Sequence, residues 1–349
     1  MDGSFRVALS GDFRKPDGSL LFPDFDLAPL RNAPNVEMEI LDPSNPIRAY
    51  QIADFDALIL LGARFDRESI HPNGRLAAVA RFGVGHDSVD IEACTEAGIA
   101  VVITPDGVRR PVALSIVTLM LALTGNLIQK DRLTRDAAAG FARRGDYMGV
   151  GLVGRTLGSI GVGNIGAELF RLCKPFDMKF IAHDPFVDAT LASSLGVELV
   201  DLDDVFRGAD VVTVNCPLSK DTKHLVNAAR LALMKRTAFF INTARGGIVN
   251  QKALTKALRK RHIAGAGLDV LEQEPPDPKD PILQLENVIL TPHALCWTDQ
   301  CFAGNGAADV KAVLDIQHGR EPQAVVNEAV LSSEGWRNRM ADFRARFGM

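Results

Sequence analysis

At 349 residues the chain is too long for one ordinary domain and comfortable for two. Apolar residues make up 47% of it and the charges almost cancel, with 39 basic against 43 acidic side chains, which suits a soluble protein with a large core. Neither sign of charge is blocked together, so the sequence offers no nucleic-acid surface and no polybasic membrane anchor.

The first half places short apolar runs at 5–10, 36–41, 57–61, 77–82 and 100–104, with polar or helix-like segments such as 91–97 between them. That alternation predicts an α/β protein with parallel strands and helical crossovers. The opening MDGSFRVALSGD has no basic region followed by an apolar segment, so no secretory signal is expected. Segment 11–26, rich in Gly, Pro and Asp, is expected to be a surface loop. The longest apolar stretch, 112–123, is interrupted by Ser115 and Thr118 and falls short of a membrane span. It reads as a buried helix beginning near Pro111, a residue suited to a first turn. The polar stretch 134–151 leads to a second series of strands at 156–161, 179–183, 210–215, 238–242, 266–269 and 288–291. Segment 334–349 mixes aromatic and basic residues and leaves two options, a docking helix or a frayed tail. The cysteines Cys94, Cys173, Cys216, Cys296 and Cys301 are odd in number and form no C-x-x-C pair. Neither a disulfide framework nor a metal site is indicated, and a reducing cytoplasm is the simplest compartment. Cys94 and Cys173 read as small apolar filler.

Gly161-Val162-Gly163-Asn164-Ile165-Gly166 is a G-x-G-x-x-G pattern, weak alone because glycines are common. Here it follows an apolar strand and opens an amphipathic helix over 165–176. Asp184 ends the next strand, eighteen residues past Gly166. Gly161 permits a tight turn, Gly163 lets backbone approach a pyrophosphate, and Gly166 lets helix and strand pack closely. The helix N-terminus offers N–H groups to phosphate. Asp184 can accept from the adenosine ribose hydroxyls and repel a 2′-phosphate, so the cofactor expected is NAD rather than NADP. The bland alternative is a strand-helix turn with no ligand.

Three further blocks each sit at the end of a predicted strand: one containing Arg245, one containing Asp269 and Glu274, and one containing His293. Strand ends in a parallel sheet share an edge where ligands bind, so Arg245, Glu274 and His293 are expected to converge. Reduction of a 2-oxo acid needs a hydride donor, a proton donor and a cation for the carboxylate. A histidine beside a carboxylate suits the second task, and a planar guanidinium the third. Taken singly, each residue has a dull reading as a loop, helix-end or surface group. In order behind a dinucleotide fingerprint, they point to a site.

On these motifs the chain resembles the D-2-hydroxyacid dehydrogenase family, over roughly 79–326. The resemblance implies that Val84 and Gly85, in Phe82-Gly83-Val84-Gly85-His86-Asp87, hold the substrate carboxylate through backbone N–H groups. It implies that Asn215-Cys216-Pro217-Leu218 with Thr222 lines the adenine pocket, and that Thr243 and Ala244 lead into the catalytic arginine, Arg245. Asp269 would contact the nicotinamide carboxamide, with Glu274 and His293 as the acid/base pair. Asn164, Ile165 and His293 would also meet the cofactor. The implied architecture is a Rossmann-type doubly wound sheet, 112–304, inserted into a flavodoxin-like α/β substrate domain made of 1–111 and 305–349. Homodimers joined through the nucleotide domains are implied too, with the helix after Pro111 in the interface. The expected partner is a small 2-hydroxy or 2-oxo acid.

Two departures bear on the substrate. Where the family usually has Val-Ala-Glu opening the long helix, this chain reads Arg109-Arg110-Pro111-Val112-Ala113-Leu114-Ser115, and after His293 it reads Ala294-Leu295-Cys296-Trp297. Arg109 or Arg110 would meet a second anionic group on the substrate, or else be solvated or paired with a nearby carboxylate. Trp297 is a further candidate for the substrate side. The competing functions are an NAD-sensing interaction protein, like the corepressors that share this fold, and formate or phosphite oxidation on the same scaffold. Formate dehydrogenases resembling this family pair a glutamine with the histidine, and Glu274 argues against formate.

Overall fold

Runs such as Ala57–Leu60 and Val211–Val214 are apolar or nearly so at every position, so both faces of the strands they form need cover, as in parallel sheets flanked by helices. The computed structural model describes residues 3–348. The chain divides into two compact units, Met1–Val108 with Trp297–Met349, and Arg109–Cys296. The boundaries differ from 111/112 and 304/305 by a few residues, the larger shift lying at the return.

The first unit holds β1 (Phe5–Leu9), β2 (Val36–Ile40), β3 (Ala57–Leu60), β4 (Ala78–Arg81) and β5 (Ala100–Ile103). Their order is β2-β1-β3-β4-β5 and every pairing is parallel, the flavodoxin-like arrangement. Register places Ala8, Leu58, Val79 and Val101 side by side, all fully buried on one face. Val7, Ile59 and Ala80 point to the other. Edge strand β2 alternates instead, with Glu37 and Glu39 to solvent.

Two expectations change in this unit. Segment 11–26 is not simply a surface loop, because Phe13, Phe22 and Phe25 are buried and pack with Phe82. Its Gly, Pro and Asp content masked three aromatic anchors. The C-terminal segment resolves to a docking helix, Glu334–Phe347, whose first turn is capped by the Ser333 hydroxyl accepting from Trp336 N–H. Trp336, Met340, Phe343 and Phe347 recur at helical spacing and enter the core, with Phe343 edge-on to Phe5 at 5.2 Å.

The second unit holds β6 (Thr156–Ile160), β7 (Lys179–His183), β8 (Val197–Leu199), β9 (Val211–Val214), β10 (Phe239–Asn242), β11 (Gly265–Leu268) and β12 (Val288–Leu290). The order β12-β11-β10-β9-β6-β7-β8, parallel throughout, is a doubly wound Rossmann sheet. The winding reverses between β6 and β9, and the G-x-G-x-x-G loop leaves β6 at that switch point. Edge strand β8 was not expected, since three residues behind Gly196 carry too little pattern.

The long helix also differs from expectation. It runs Pro105–Thr124, with Pro111 inside it. Pro105 occupies the first turn, where a missing N–H costs little, and Asp106 complements the helix dipole there. Arg109 and Arg110 therefore lie within the helix rather than before it. By length and composition the helix could cross a membrane, but Ala113, Ile116, Leu119, Met120 and Leu123 are packed in the second unit's core. Stretch 134–151 contains the end of helix Leu127–Arg135, helix Ala137–Ala142 and a single 3-10 turn. Cys94 and Cys173 are filler, and burial pushes each thiol up to about 12.

Candidate active site

Strand β6 ends at Ile160, and the chain must turn at once into a helix above the sheet edge. Gly161 makes the turn with φ +103°, and a Cβ there would stand 2.8 Å from the Asn215 carbonyl oxygen. Gly166 packs so closely that its Cβ would stand 2.4 Å from the Gly161 oxygen. Gly163 is different, because among the described residues nothing beyond its own chain neighbours lies within 4 Å of where its Cβ would be. Internal packing does not demand glycine there, whereas close approach of a phosphate does. Helix Asn164–Cys173 starts at Gly163 with no side-chain cap hydrogen bond among the described residues, and a helix start of this kind suits an anion. The residues present thus fit a dinucleotide.

Asp184 stands past the end of β7, and its carboxylate accepts from Val162 N–H at 2.8 Å and Phe186 N–H at 2.9 Å. The acid is tied to the glycine loop itself, so ribose and pyrophosphate recognition share one rigid piece. Beyond β9, Thr222 folds the Cys216-Pro217 segment: its hydroxyl donates to the Pro217 carbonyl at 2.7 Å and accepts from Ser219 N–H at 2.7 Å. Burial pushes the Cys216 thiol up to about 11, so it lines the loop as a neutral group.

Arg245, Glu274 and His293 follow β10, β11 and β12, three neighbouring parallel strands of one sheet. His293 Nδ1 lies 2.8 Å from Glu274 Oε2, with both side chains partly exposed. Burial works to raise the pKa of the Glu274 carboxyl. Hydrogen bonds with His293 and from Leu271 N–H, with the charge of Arg245, outweigh it and hold the group below its usual value. With Nδ1 committed to Glu274, Nε2 is the ring nitrogen left for proton exchange.

Local chemistry sets these positions. His293 has a left-handed backbone, φ +55°, fixed by its own N–H donating to the Asp269 carbonyl at 2.8 Å. The Asp269 carboxylate accepts from the Thr291 hydroxyl at 2.6 Å and from Ala294 and Leu295 N–H at 3.1 Å each, tying the turn around His293. The structure thus gives buried Asp269 a positioning task within the chain. Asn242 does the same for Arg245, accepting from Ala244 N–H and donating to the Arg245 carbonyl, both at 3.0 Å. Thr243 and Ala244 lie within that turn. Sequence reasoning missed Asn242 and Thr291, although an Asn closing a strand just before a turn is itself a signal.

The remaining candidates divide. In the first unit, Val84 and Gly85 follow β4 at the carboxyl edge of its sheet, partly exposed, in a loop held by Thr104 N–H donating to the Gly83 carbonyl at 3.0 Å. Trp297 in the same unit is half-exposed and packs edge-on to Phe22 at 5.4 Å. Arg110 pairs with buried Glu168 at 2.8 Å, the carboxylate-paired reading of that residue.

Comparison with known proteins agrees with this geometry. Residues 117–294 match the family model described as D-isomer specific 2-hydroxyacid dehydrogenase, NAD binding domain. A glyoxylate reductase of Korarchaeum cryptofilum is 36% identical over 83% of this chain and 88% of its own length. The chain belongs to the D-2-hydroxyacid dehydrogenase family. A D-3-phosphoglycerate dehydrogenase of Methanocaldococcus jannaschii is 38% identical over 79% of this chain, which spans about half (52%) of that longer protein. Among solved structures, a glyoxylate reductase from Paecilomyes thermophila superimposes with a TM-score of 0.80 at 26% identity, covering 93% of this chain and 99% of that one. In this D-2-hydroxyacid dehydrogenase the second unit is the NAD-binding domain. The reaction class is hydride transfer between NAD and the 2-position of a 2-hydroxy or 2-oxo acid.

Proposed function

We propose that this dehydrogenase reduces a short 2-oxo acid of the glyoxylate type, and that it works as a cytoplasmic homodimer. The observation that carries the reading is the 2.8 Å contact between His293 and Glu274 at the strand ends that also present Arg245. NAD in its reduced form, when bound, supplies the hydride. His293 Nε2 gives the proton to the oxygen of the emerging alkoxide, and Glu274 balances the imidazolium before that transfer. Arg245 binds the substrate carboxylate and polarises the adjacent carbonyl. Asp269 accepts from the nicotinamide amide while holding the His293 turn.

A short substrate is favoured by the glyoxylate reductase that aligns along most of its length. Engagement of Arg110 by Glu168 removes one cation that a second anionic group would use. The dimer is supported by apolar side chains exposed on the second unit: Leu114 and Leu121 at 45% each on the long helix, with Leu127, Phe141, Met148 and Val153 further on. Cysteines outside any disulfide pattern fit the cytoplasm.

NADH oxidation measured against glyoxylate, hydroxypyruvate, pyruvate, and phosphorylated and dicarboxylic 2-oxo acids tests the reading. Glyoxylate is expected to give the highest kcat/KM, and His293→Ala to cut turnover by about two to four orders of magnitude with NADH binding unchanged. Wild-type turnover in that variant overturns the acid/base assignment. A clear preference for a phosphorylated or dicarboxylic acid overturns the substrate.

A further inference from the structure

The loop that carries Glu274 has little structure of its own. Between the end of β11 at Leu268 and the short turn Pro281–Gln284 there is neither helix nor strand. A free loop of that length would not keep a carboxylate within a hydrogen bond of His293, so its placement must come from side-chain contacts.

Those contacts meet at Glu272, two residues before Glu274. One Glu272 carboxylate oxygen lies 2.6 Å from His224 Nε2, and the other accepts from Gln251 N–H at 3.2 Å. In return, Glu272 N–H donates to Gln251 Oε1 at 2.9 Å. Gln251 opens helix Gln251–Arg259, and its amide donates to Asp280 at 2.6 Å, fastening the far end of the same loop. His224 is itself fixed: it has φ +52° and its N–H donates to the Gly247 carbonyl at 3.0 Å. Gly247 lies in the turn directly after Arg245. Beside it, Gly246 packs so closely that a Cβ would stand 2.4 Å from Glu272 N, so the Arg245 turn and the Glu272 backbone lie flush.

We propose that Glu272 is a positioning residue: gripped by His224 and Gln251, it locks the Glu274 loop to the Arg245 turn and so sets the Glu274–His293 distance. The proposal rests on the acid/base reading given above. The His224–Glu272 pair is about one-third exposed on each side, so such a pair adds little to global stability. Its effect is on geometry. Glu274 already spends one oxygen on Leu271 N–H at 2.9 Å, a contact within the loop that travels with it, and the other on His293, so a shifted loop loses the contact to His293.

The test is a double-mutant cycle between Glu272→Ala and Glu274→Gln, with Gln251→Ala as an independent way to loosen the same grip. Glu272→Ala is expected to lower kcat for 2-oxo acid reduction roughly ten- to a hundredfold, the scale for misplacing a catalytic group by about an ångström. NADH affinity should stay within about twofold, because the glycine loop is untouched. The alkaline limb of the kcat profile should move to lower pH, as for Glu274→Gln, and the double variant should lose little beyond Glu274→Gln alone. Glu272→Gln keeps an acceptor oxygen and should recover much of the rate, while Gln251→Ala should repeat the Glu272→Ala profile in milder form. The proposal is overturned if the losses at 272 and 274 multiply, or if kcat falls with no movement of the alkaline limb. Running His293→Ala alongside separates the two ideas: an active His293→Ala removes the acid/base reading, whereas an inactive one with unaffected Glu272→Ala removes only the role of Glu272.

Discussion

Glu274 shows how one side chain can be pulled two ways and end with a defined charge. Burial favours its neutral form, but contacts with His293 and Leu271 N–H and the charge of Arg245 hold the carboxyl below its usual range. It therefore stays ionised across neutral pH, 2.8 Å from His293 Nδ1. In the proposed reduction His293 passes a proton to the substrate with that charge beside it. Glu274→Gln removes the charge at nearly constant volume, so the alkaline limb of reduction should move to lower pH. The reverse reaction should instead gain on its acid side. Rates in both directions between pH 5 and 9 check this, and unmoved limbs would count against the pair. Asp184 gives a second test. Its carboxylate is fixed against Val162 N–H, where it would oppose a 2′-phosphate, so wild-type kcat/KM should favour NADH over NADPH. Asp184→Ser should narrow that ratio by about tenfold or more, since a one-charge difference near a phosphate is worth roughly 1.5–3 kcal/mol. A wild-type preference for NADPH would refute the assignment. The candidate site residues could be picked from the sequence because each carries its own local signal, a glycine turn or a strand end. Asp309 had none: it is fully buried on a helix, neither carboxylate oxygen has a hydrogen-bond partner among the described residues, and burial pushes its pKa well up while the charge of Arg81 works against it. Burial of that kind depends on tertiary packing, which a sequence pattern does not print.

The strands were the most legible elements and helix limits the least, for physical reasons visible in particular cases. Strand 179–183 was expected and found with the same ends, because Lys-Phe-Ile-Ala-His lies between a turn and an aspartate. The long helix was misplaced by six residues because two prolines, Pro105 and Pro111, both suit a first turn and local preference does not rank them. Segment 334–349 was ambiguous because docking depends on a groove the sequence does not display. The resulting helix is open to test through Trp336, which is 1% exposed and whose indole N–H has no partner among the described residues. Trp336→Ala should cost about 3–5 kcal/mol, or roughly 6–20 °C in the unfolding midpoint of the first unit. Trp336→Phe keeps most of the ring and removes the orphaned N–H, so it should cost about 1 kcal/mol or less. Thermal unfolding of the two variants side by side decides it. Equal losses would mean that the helix is held by its other anchors.

At the scale of the whole molecule, the helix Pro105–Thr124 has two apolar faces with different fates. Ala113, Ile116, Leu119, Met120 and Leu123 fill the core of the NAD-binding unit, whereas Leu114, Thr118 and Leu121 recur at four- and three-residue steps on the solvent side. Helix geometry puts those three in one stripe. Two exposed leucines flanking a threonine over two turns, with Phe141, Met148 and Val153 exposed in the same unit, form the kind of apolar surface that marks a contact site. A two-fold contact would cover each such patch with its own copy, because a C2 interface uses the same surface twice. Leu121→Glu then brings two like charges into a desolvated contact and should raise the dimer dissociation constant by at least about a hundredfold, roughly 2.7 kcal/mol. Lys256→Glu, exposed on helix Gln251–Arg259 and outside segments 114–121 and 127–153, controls for a general charge effect. Sedimentation velocity from 0.1 to 50 µM (about the range that separates nanomolar from micromolar association) reads the outcome directly. A wild-type monomer throughout would remove the dimer. A dimer unchanged by Leu121→Glu would move the interface off this helix.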